Sequence, residues 1–178
     1  MILKIRLFGD PVLRKKGEPI HEINDEIRKL AHDMIETMDV DNAGIGLASQ
    51  QVGHALKMFV LRRYIDTPDG RWTVSDPVVY INPKIIAVSK ETWVQDEGCL
   101  SIPKLNLPVE RPYKVKIEST KLDGSHVVEE FEGINARVIL HENDHVNGVL
   151  YIDRVEKKFL RDVEPYLRTL KKRNEPHG

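Results

Sequence analysis

The sequence predicts an α+β fold, with mostly antiparallel β-sheets packed around a central helix and flanked by an N-terminal and a C-terminal helix. Three observations carry that expectation. Apolar residues near the N-terminus recur at helical spacing; from about residue 46 to 131 the pattern changes to short alternating runs broken by turn residues; the final third returns to helical spacing. No internal repeat, low-complexity tract or linker interrupts the chain, so residues 1–178 are expected to form one domain.

In order, Ile23, Ile27, Leu30, Met34 and Met38 predict an amphipathic helix that ends before the turn-forming stretch from Asp39 to Gly44. Gly44 to Gly53 joins this helix to the first strand and, taken alone, reads as a plain turn. Lys57 to Arg62 reads as a strand and Thr67-Pro68-Asp69-Gly70 as a turn. Val78 to Val88 is β-rich, with Pro83 pointing to an edge or a bulge. Gly98 to Pro108 reads as a loop because it holds two prolines. Val109 to Thr120, Leu122-Asp123-Gly124 and His126 to Phe131 predict a hairpin. Ile134, Val138, His141 and His145 share one face of a helix stopped by Asn147-Gly148. A last helix is expected from Glu156 to Arg173, with Phe159, Leu160, Val163, Leu167 and Leu170 as its apolar stripe.

Composition excludes several classes. With 40% hydrophobic and 31% charged residues the chain is globular in character. Its 27 Lys and Arg against 28 Asp and Glu argue against a general nucleic-acid binder. No apolar stretch reaches the length of a membrane span. Met1 to Leu7 carries scattered charges and no small-residue cleavage site, so no signal peptide is expected. The one cysteine, Cys99, rules out an internal disulfide and fits a reducing compartment, hence the cytoplasm.

The strongest local signal is His141-Glu142-Asn143-Asp144-His145. Histidines four apart project from one helical face and can share a metal ion. Glu142 is rotated about 100° from His141 on a 3.6-residue helix, outside the ligand set but near enough to act as base toward a metal-activated water. Two histidines do not complete such a site, which ordinarily has three protein ligands. Downstream, Asp153, Glu156, Asp162, Glu164, Glu175 and His177 are available; upstream, Cys99 offers a soft thiolate. Taken alone, Cys99 reads first as a buried small hydrophobe, with a metal ligand and a nucleophile using His141 or His145 as base as the rival readings. Gly44 to Gly53 is neither a dinucleotide fingerprint nor a phosphate loop, and its small residues and glutamines suit close backbone approach to a ligand.

Gly44–Gln51, Glu97–Ser101 and His141–His145 resemble, in this order, the three motifs of the bacterial-type peptide deformylases. The likeness extends from Gly9–Arg14 to Gly148–Arg154 and so covers most of the chain. It implies an enzyme that removes the N-formyl group from the formylmethionine of newly made proteins and releases formate. Cys99, His141 and His145 would hold one divalent ion, Fe(2+) in the cell, with Zn(2+), Ni(2+) or Co(2+) as substitutes, making the second helix the central metal-binding helix. Glu142 would be the general base, with Gln51 and the Leu100 N–H stabilising the oxyanion. Gly46, Ile45, Gly98, Ile134 and Val138 would bind substrate, although Ile45, Ile134 and Val138 alone read as core. Glu97, paired with Arg111, would brace the cysteine loop. The chain departs from the usual family pattern at Ser49, Gln50, Leu140 and Val146. The resemblance also suggests ribosome contact through the basic stretch Lys157–Arg173, which taken alone is a solvated helix face. A metalloprotease with another third ligand, and an inactive paralogue that only binds peptide or ribosome, are the rival readings.

Overall fold

The protein is described by a computed structural model covering residues 1–40 and 44–176. In chain order its elements are α1 (Asp25–Met38), β1 (Gly46–Ala48), β2 (Met58–Leu61), β3 (Tyr64–Asp66), β4 (Trp72–Val74), β5 (Val78–Val88), β6 (Thr92–Cys99), β7 (Ile102–Pro112), β8 (Lys114–Thr120), β9 (His126–Glu132), α2 (Gly133–Val146), α3 (Lys157–Leu160) and α4 (Glu164–Asn174). Five strands form one sheet in the order β1-β2-β5-β8-β9, and β3-β4 and β6-β7 form two-stranded sheets. Every strand pair is antiparallel.

The strand period of two distributes the core. Met58 and Val60 of β2 pack with Leu30, Met34 and Met38 of α1, whereas Phe59 and Leu61 pack with Ala136, Ile139 and Val146 of α2. The main sheet is therefore covered by a helix on each face, and all four β2 side chains are buried. A third cluster joins Ile102, Leu107 and Val109 of β7 to Leu150, Tyr151 and Ile152 after α2 and to Leu167 and Leu170 of α4. Each such buried aliphatic side chain contributes about 1.5–3 kcal/mol. Helix α2 thus lies between the main sheet and the β6-β7 hairpin.

Helix α1 begins as its chemistry dictates: the Asn24 side chain accepts from the Ile27 N–H at 2.9 Å. Of the turn expected from Asp39 to Gly44, residues 41–43 lie outside the described residues, as does His177.

Several expectations need correction. Gly44–Gly53 is more than a turn: it contains β1, paired with β2, and a 3-10 turn, Ser49–Val52. Ile102–Pro112 is strand rather than loop, because its prolines sit in a two-stranded ribbon where one side of each strand needs no ladder. That leaves only Lys114–Thr120 for the hairpin with β9, so Val109 to Pro112 belongs to β7. Pro83 marks a bulge and not an edge: β5 lies between β2 and β8, with a register shift from Ile81 to Lys84. The last helix is broken in two, with Pro165 in the first turn of α4, and Phe159 is exposed. Tyr64–Asp66 and Trp72–Val74 form a small hairpin around the Thr67–Gly70 turn.

Candidate metal centre

Both ends of α2 are fixed. The Asn135 side chain accepts from Tyr64 N–H at 2.8 Å and donates to Tyr64 O at 2.9 Å, clamping the first turn to β3. At the other end Gly148 adopts φ +76°, and a Cβ there would lie 2.6 Å from Arg14 O. These two contacts set the position of the helix, in which His141 lines the cleft and His145 lies buried one turn on, their ring centroids 5.1 Å apart. Cys99 ends β6, where the pairing with β7 slips between Glu97 and Cys99. That irregularity re-aims the cysteine out of the ladder. Its Sγ lies 3.4 Å from His145 Nε2, and donor atoms of Cys99, His141 and His145 all fall within 4.8 Å of one another.

A thiolate and two imidazoles at that separation are a donor set for a borderline-soft divalent ion. The outer partners fit as well. His141 Nδ1 meets Glu97 Oε1 at 2.8 Å, which leaves Nε2 as the ligand atom. Glu97 in turn accepts from Arg111 Nε at 2.6 Å, Arg111 Nη2 at 2.9 Å and Arg137 Nη1 at 2.6 Å. Arg111 continues to Asp144 Oδ2 at 2.8 Å, and Arg154 bonds both Asp144 oxygens at 2.7 and 2.9 Å. Burial opposes ionisation of Glu97, but Arg111 and His141 outweigh it and hold the carboxyl down to about 2. Burial also works against a charged His141, yet Cys99, Glu97 and Glu142 raise it well above an ordinary histidine; burial and the neighbouring cations push His145 well below.

Glu142 is buried beside this set, and its Oε1 has no hydrogen-bond partner among the described residues. Burial pushes its carboxyl up to about 7, against the pull of His141. An ionisable acceptor with a free oxygen next to a metal-binding cluster is equipped to take a proton from water. Gly46 makes room for it: a Cβ on Gly46 would lie 2.7 Å from Glu142 Oε2. Gln51 is held with its amide in one sense, Oε1 accepting from Ala48 N–H at 2.9 Å and Nε2 donating to Ser101 Oγ at 3.1 Å, 3.5 Å from Cys99 Sγ.

The cleft above the cluster has a volume of about 520 Å³, and Ile45, Gly46, Gly98, Leu100, Ile134 and Val138 all line it. Every site residue expected from the sequence is therefore brought into or directly behind one cleft. Ile134 is not core: at 43% exposure it stands at the mouth, whereas Val138 is buried. Gly98 tolerates no side chain, since a Cβ would meet Asn106 Oδ1 at 2.5 Å. Sequence reasoning missed Arg137, Asp144 and Ser101. Arg137 precedes His141 by one turn and Asp144 follows Arg137 by two, so helical spacing alone places all three on one face. Asp153, a candidate third ligand, instead pairs with Arg14 at 2.6 Å.

Comparisons with known proteins agree with this geometry. The polypeptide deformylase family profile matches residues 2–160. A peptide deformylase of Thermotoga sp. (strain RQ2) is 44% identical over 152 residues, 85% of this chain and 86% of its own length. The crystal structure of peptide deformylase from Thermotoga maritima superposes with a TM-score of 0.78 at 41% identity, covering 88% of this chain and 99% of that one. A class I type b peptide deformylase from Acinetobacter baumannii, solved with Met-Ala-Ser bound, gives a TM-score of 0.79 at 30% identity over 87% of this chain and 99% of that one. A cysteine and two histidines gathered over one buried glutamate, within a chain matched along most of its length, place this protein in the polypeptide deformylase family.

Proposed function

We propose that the cleft between α2 and the β6-β7 hairpin is where this chain, as a peptide deformylase, removes the N-formyl group from the formylmethionine of newly made peptides, acting as one catalytic domain over residues 1–178. The observation that carries the reading is the buried Glu142 carboxyl, with an unpaired oxygen, directly beside the Cys99–His141–His145 donor set. Those three residues would hold one divalent ion, Fe(2+) in the cell, replaceable by Zn(2+), Ni(2+) or Co(2+). When bound, such an ion supplies Lewis acidity toward water and the formyl oxygen.

The rest is done by the chain. Glu142 takes a proton from the attacking water and returns it to the leaving amine, so that water and a formamide become formate and a free N-terminus. The Gln51 amide, already turned toward the cleft by Ala48 and Ser101, and the Leu100 N–H stabilise the negative charge on the formyl oxygen. The Gly46 backbone pairs with the peptide, and Ile45, Gly98, Ile134 and Val138 shape the space for its first side chain. Glu97 and Arg111 hold His141 and the cysteine strand in register. The Met-Ala-Ser found in the Acinetobacter baumannii relative is the reaction's deformylated product type, which supports a short formylated peptide as substrate here.

Among the described residues no helix is long and apolar enough to cross a membrane, and cytoplasmic action on nascent chains is the setting we infer. Leu167 and Leu170 turn one side of α4 inward and leave Lys171, Lys172 and Arg173 exposed. Contact with ribosomal RNA through that face is part of the proposal; reversing the three charges weakens ribosome binding at low salt and leaves turnover of a short peptide unchanged.

The decisive measurement is formate release from formyl-Met-Ala-Ser by reduced protein reconstituted separately with iron, nickel, cobalt and zinc. Turnover by the wild type and its loss with metal in Cys99→Ser are expected. No turnover with any of the four ions, or a Cys99→Ser protein that keeps metal and activity, would overturn the reading.

A further inference from the structure

We infer that Gln50 is a positioning residue that fastens the Gln51 amide to the metal-binding end of α2. Gln50 is fully buried, and its side chain is spent on bonds that no other residue in its segment makes. Nε2 donates to Val146 O at 3.2 Å and lies 3.4 Å from Lys15 O; Oε1 lies 3.3 Å from Ser49 Oγ, which donates to Leu56 O at 2.8 Å. Val146 directly follows the ligand His145, and its carbonyl is one of those a helix C-terminus leaves without an intrahelical partner. Gly17 N–H bonds the same carbonyl at 2.8 Å, so Lys15–Gly17, Gln50 and the end of α2 close a small hydrogen-bonded ring.

The consequence is geometric. Gln50 and Gln51 are adjacent in one short 3-10 turn, so one side chain faces the last turn of α2 while the next faces Cys99 and Ser101. The proposed oxyanion donor and His145 therefore share a frame, each one residue from the Gln50–Val146 hydrogen bond. The link is a side-chain property of Gln50: only its amide Nε2 reaches the Val146 carbonyl from this 3-10 turn. Preorganised donors are effective because they need no rearrangement as charge develops, and a glutamine amide anchored one residue away keeps that advantage.

This inference rests on the deformylase reading of the cleft, and its test separates the two. Wild type, Q50M, Q51M and the double variant are compared, all nickel-loaded, on formyl-Met-Ala-Ser. Methionine matches glutamine in length and removes only the amide. The expected result is a roughly tenfold loss of kcat in Q50M with KM within twofold, and less than twofold further loss when Q50M is added to Q51M. A tenfold loss that persists in the Q51M background would show Gln50 acting on the fold at large; a Q50M kcat within twofold of wild type would show no role. If Q50M folds poorly, Q50T serves in the same cycle. A second readout is independent of turnover. In metal-free protein the Gln51 side-chain amide NMR signals move toward free-glutamine positions in Q50M, while core backbone amides stay in place. An unmoved Gln51 signal overturns the inference, even if wild-type protein releases no formate and the deformylase reading itself fails.

Discussion

At the scale of single residues the site depends on what is missing as much as on what is present. Glu142 occupies space that any side chain at position 46 would fill, and the contact is with its carboxylate, 2.7 Å from Oε2. Gly46 is not among the positive-φ glycines, so alanine meets a clash and not backbone strain. Gly46→Ala should leave the β1-β2 pairing intact and displace the carboxylate. The expected loss in kcat/KM is at least about 100-fold, the usual contribution of a positioned general base, which is the role proposed for Glu142. Steady-state kinetics beside a far-ultraviolet circular dichroism spectrum check it: a folded Gly46→Ala protein with near wild-type kcat/KM would mean that Glu142 has room to move, and that its present placement is not what drives proton transfer.

At the scale of elements, α2 carries the two histidines of the proposed metal site and, one turn to either side of His141, the Arg137 and Asp144 members of a buried ion network. Arg137 bonds Glu97, the Val109 carbonyl and the Trp93 carbonyl at 2.6, 2.8 and 2.8 Å, tying α2 to β6 and β7 together. Because Glu97 is held at about 2 in the folded protein, its contribution to stability is present above the ordinary glutamate range and is lost as pH falls from about 4.5 toward 2. Arg137→Met removes one cation and two carbonyl partners. It should destabilise by roughly 3–5 kcal/mol at pH 7, as breaking a buried pair does. The gap to wild type should narrow as the solution is acidified and both proteins protonate Glu97. Urea unfolding at a series of pH values measures this; a gap that stays constant to pH 2 would assign Arg137 to the carbonyls alone. The sequence revealed this helix through its period, and α1 and β2 likewise, because their apolar spacing is local. It offered Cys99 as one candidate third ligand among several, and the resemblance singled it out, since its neighbour His145 lies 46 residues away and nothing local records the pairing. Strand β7 was hidden because Pro103 and Pro108 weigh against a strand unless one knows that only one of its edges is paired. The split between α3 and α4 was hidden because the Leu160, Val163, Leu167 and Leu170 stripe continues across the break between Leu160 and Glu164.

At the scale of the whole molecule, the three proposed metal ligands belong to different bodies of the fold. Cys99 packs against the cluster built from β7, the segment after α2 and α4, whereas α2 itself packs its other side on the main sheet. The strands meet these bodies through separate sheets, and no ladder joins β6-β7 to the five-stranded sheet among the described residues. An ion held by Cys99, His141 and His145 would then be a cross-link between the two bodies as well as a Lewis acid. Binding to the native state alone stabilises by about 4 kcal/mol at a free metal concentration a thousandfold above Kd. For a chain of this length that corresponds to a Tm higher by roughly 10 °C. Removing the metal with a chelator should lower Tm by about that amount, and hydrogen exchange should quicken in β6 and β7 more than in β2 and β5. Cys99→Ser should show little further change on chelation, because the bridge is already cut. Equal loss of protection in both sheets would mean that the bodies unfold as one unit regardless of the ion, and that the ligands' division between them has no mechanical consequence.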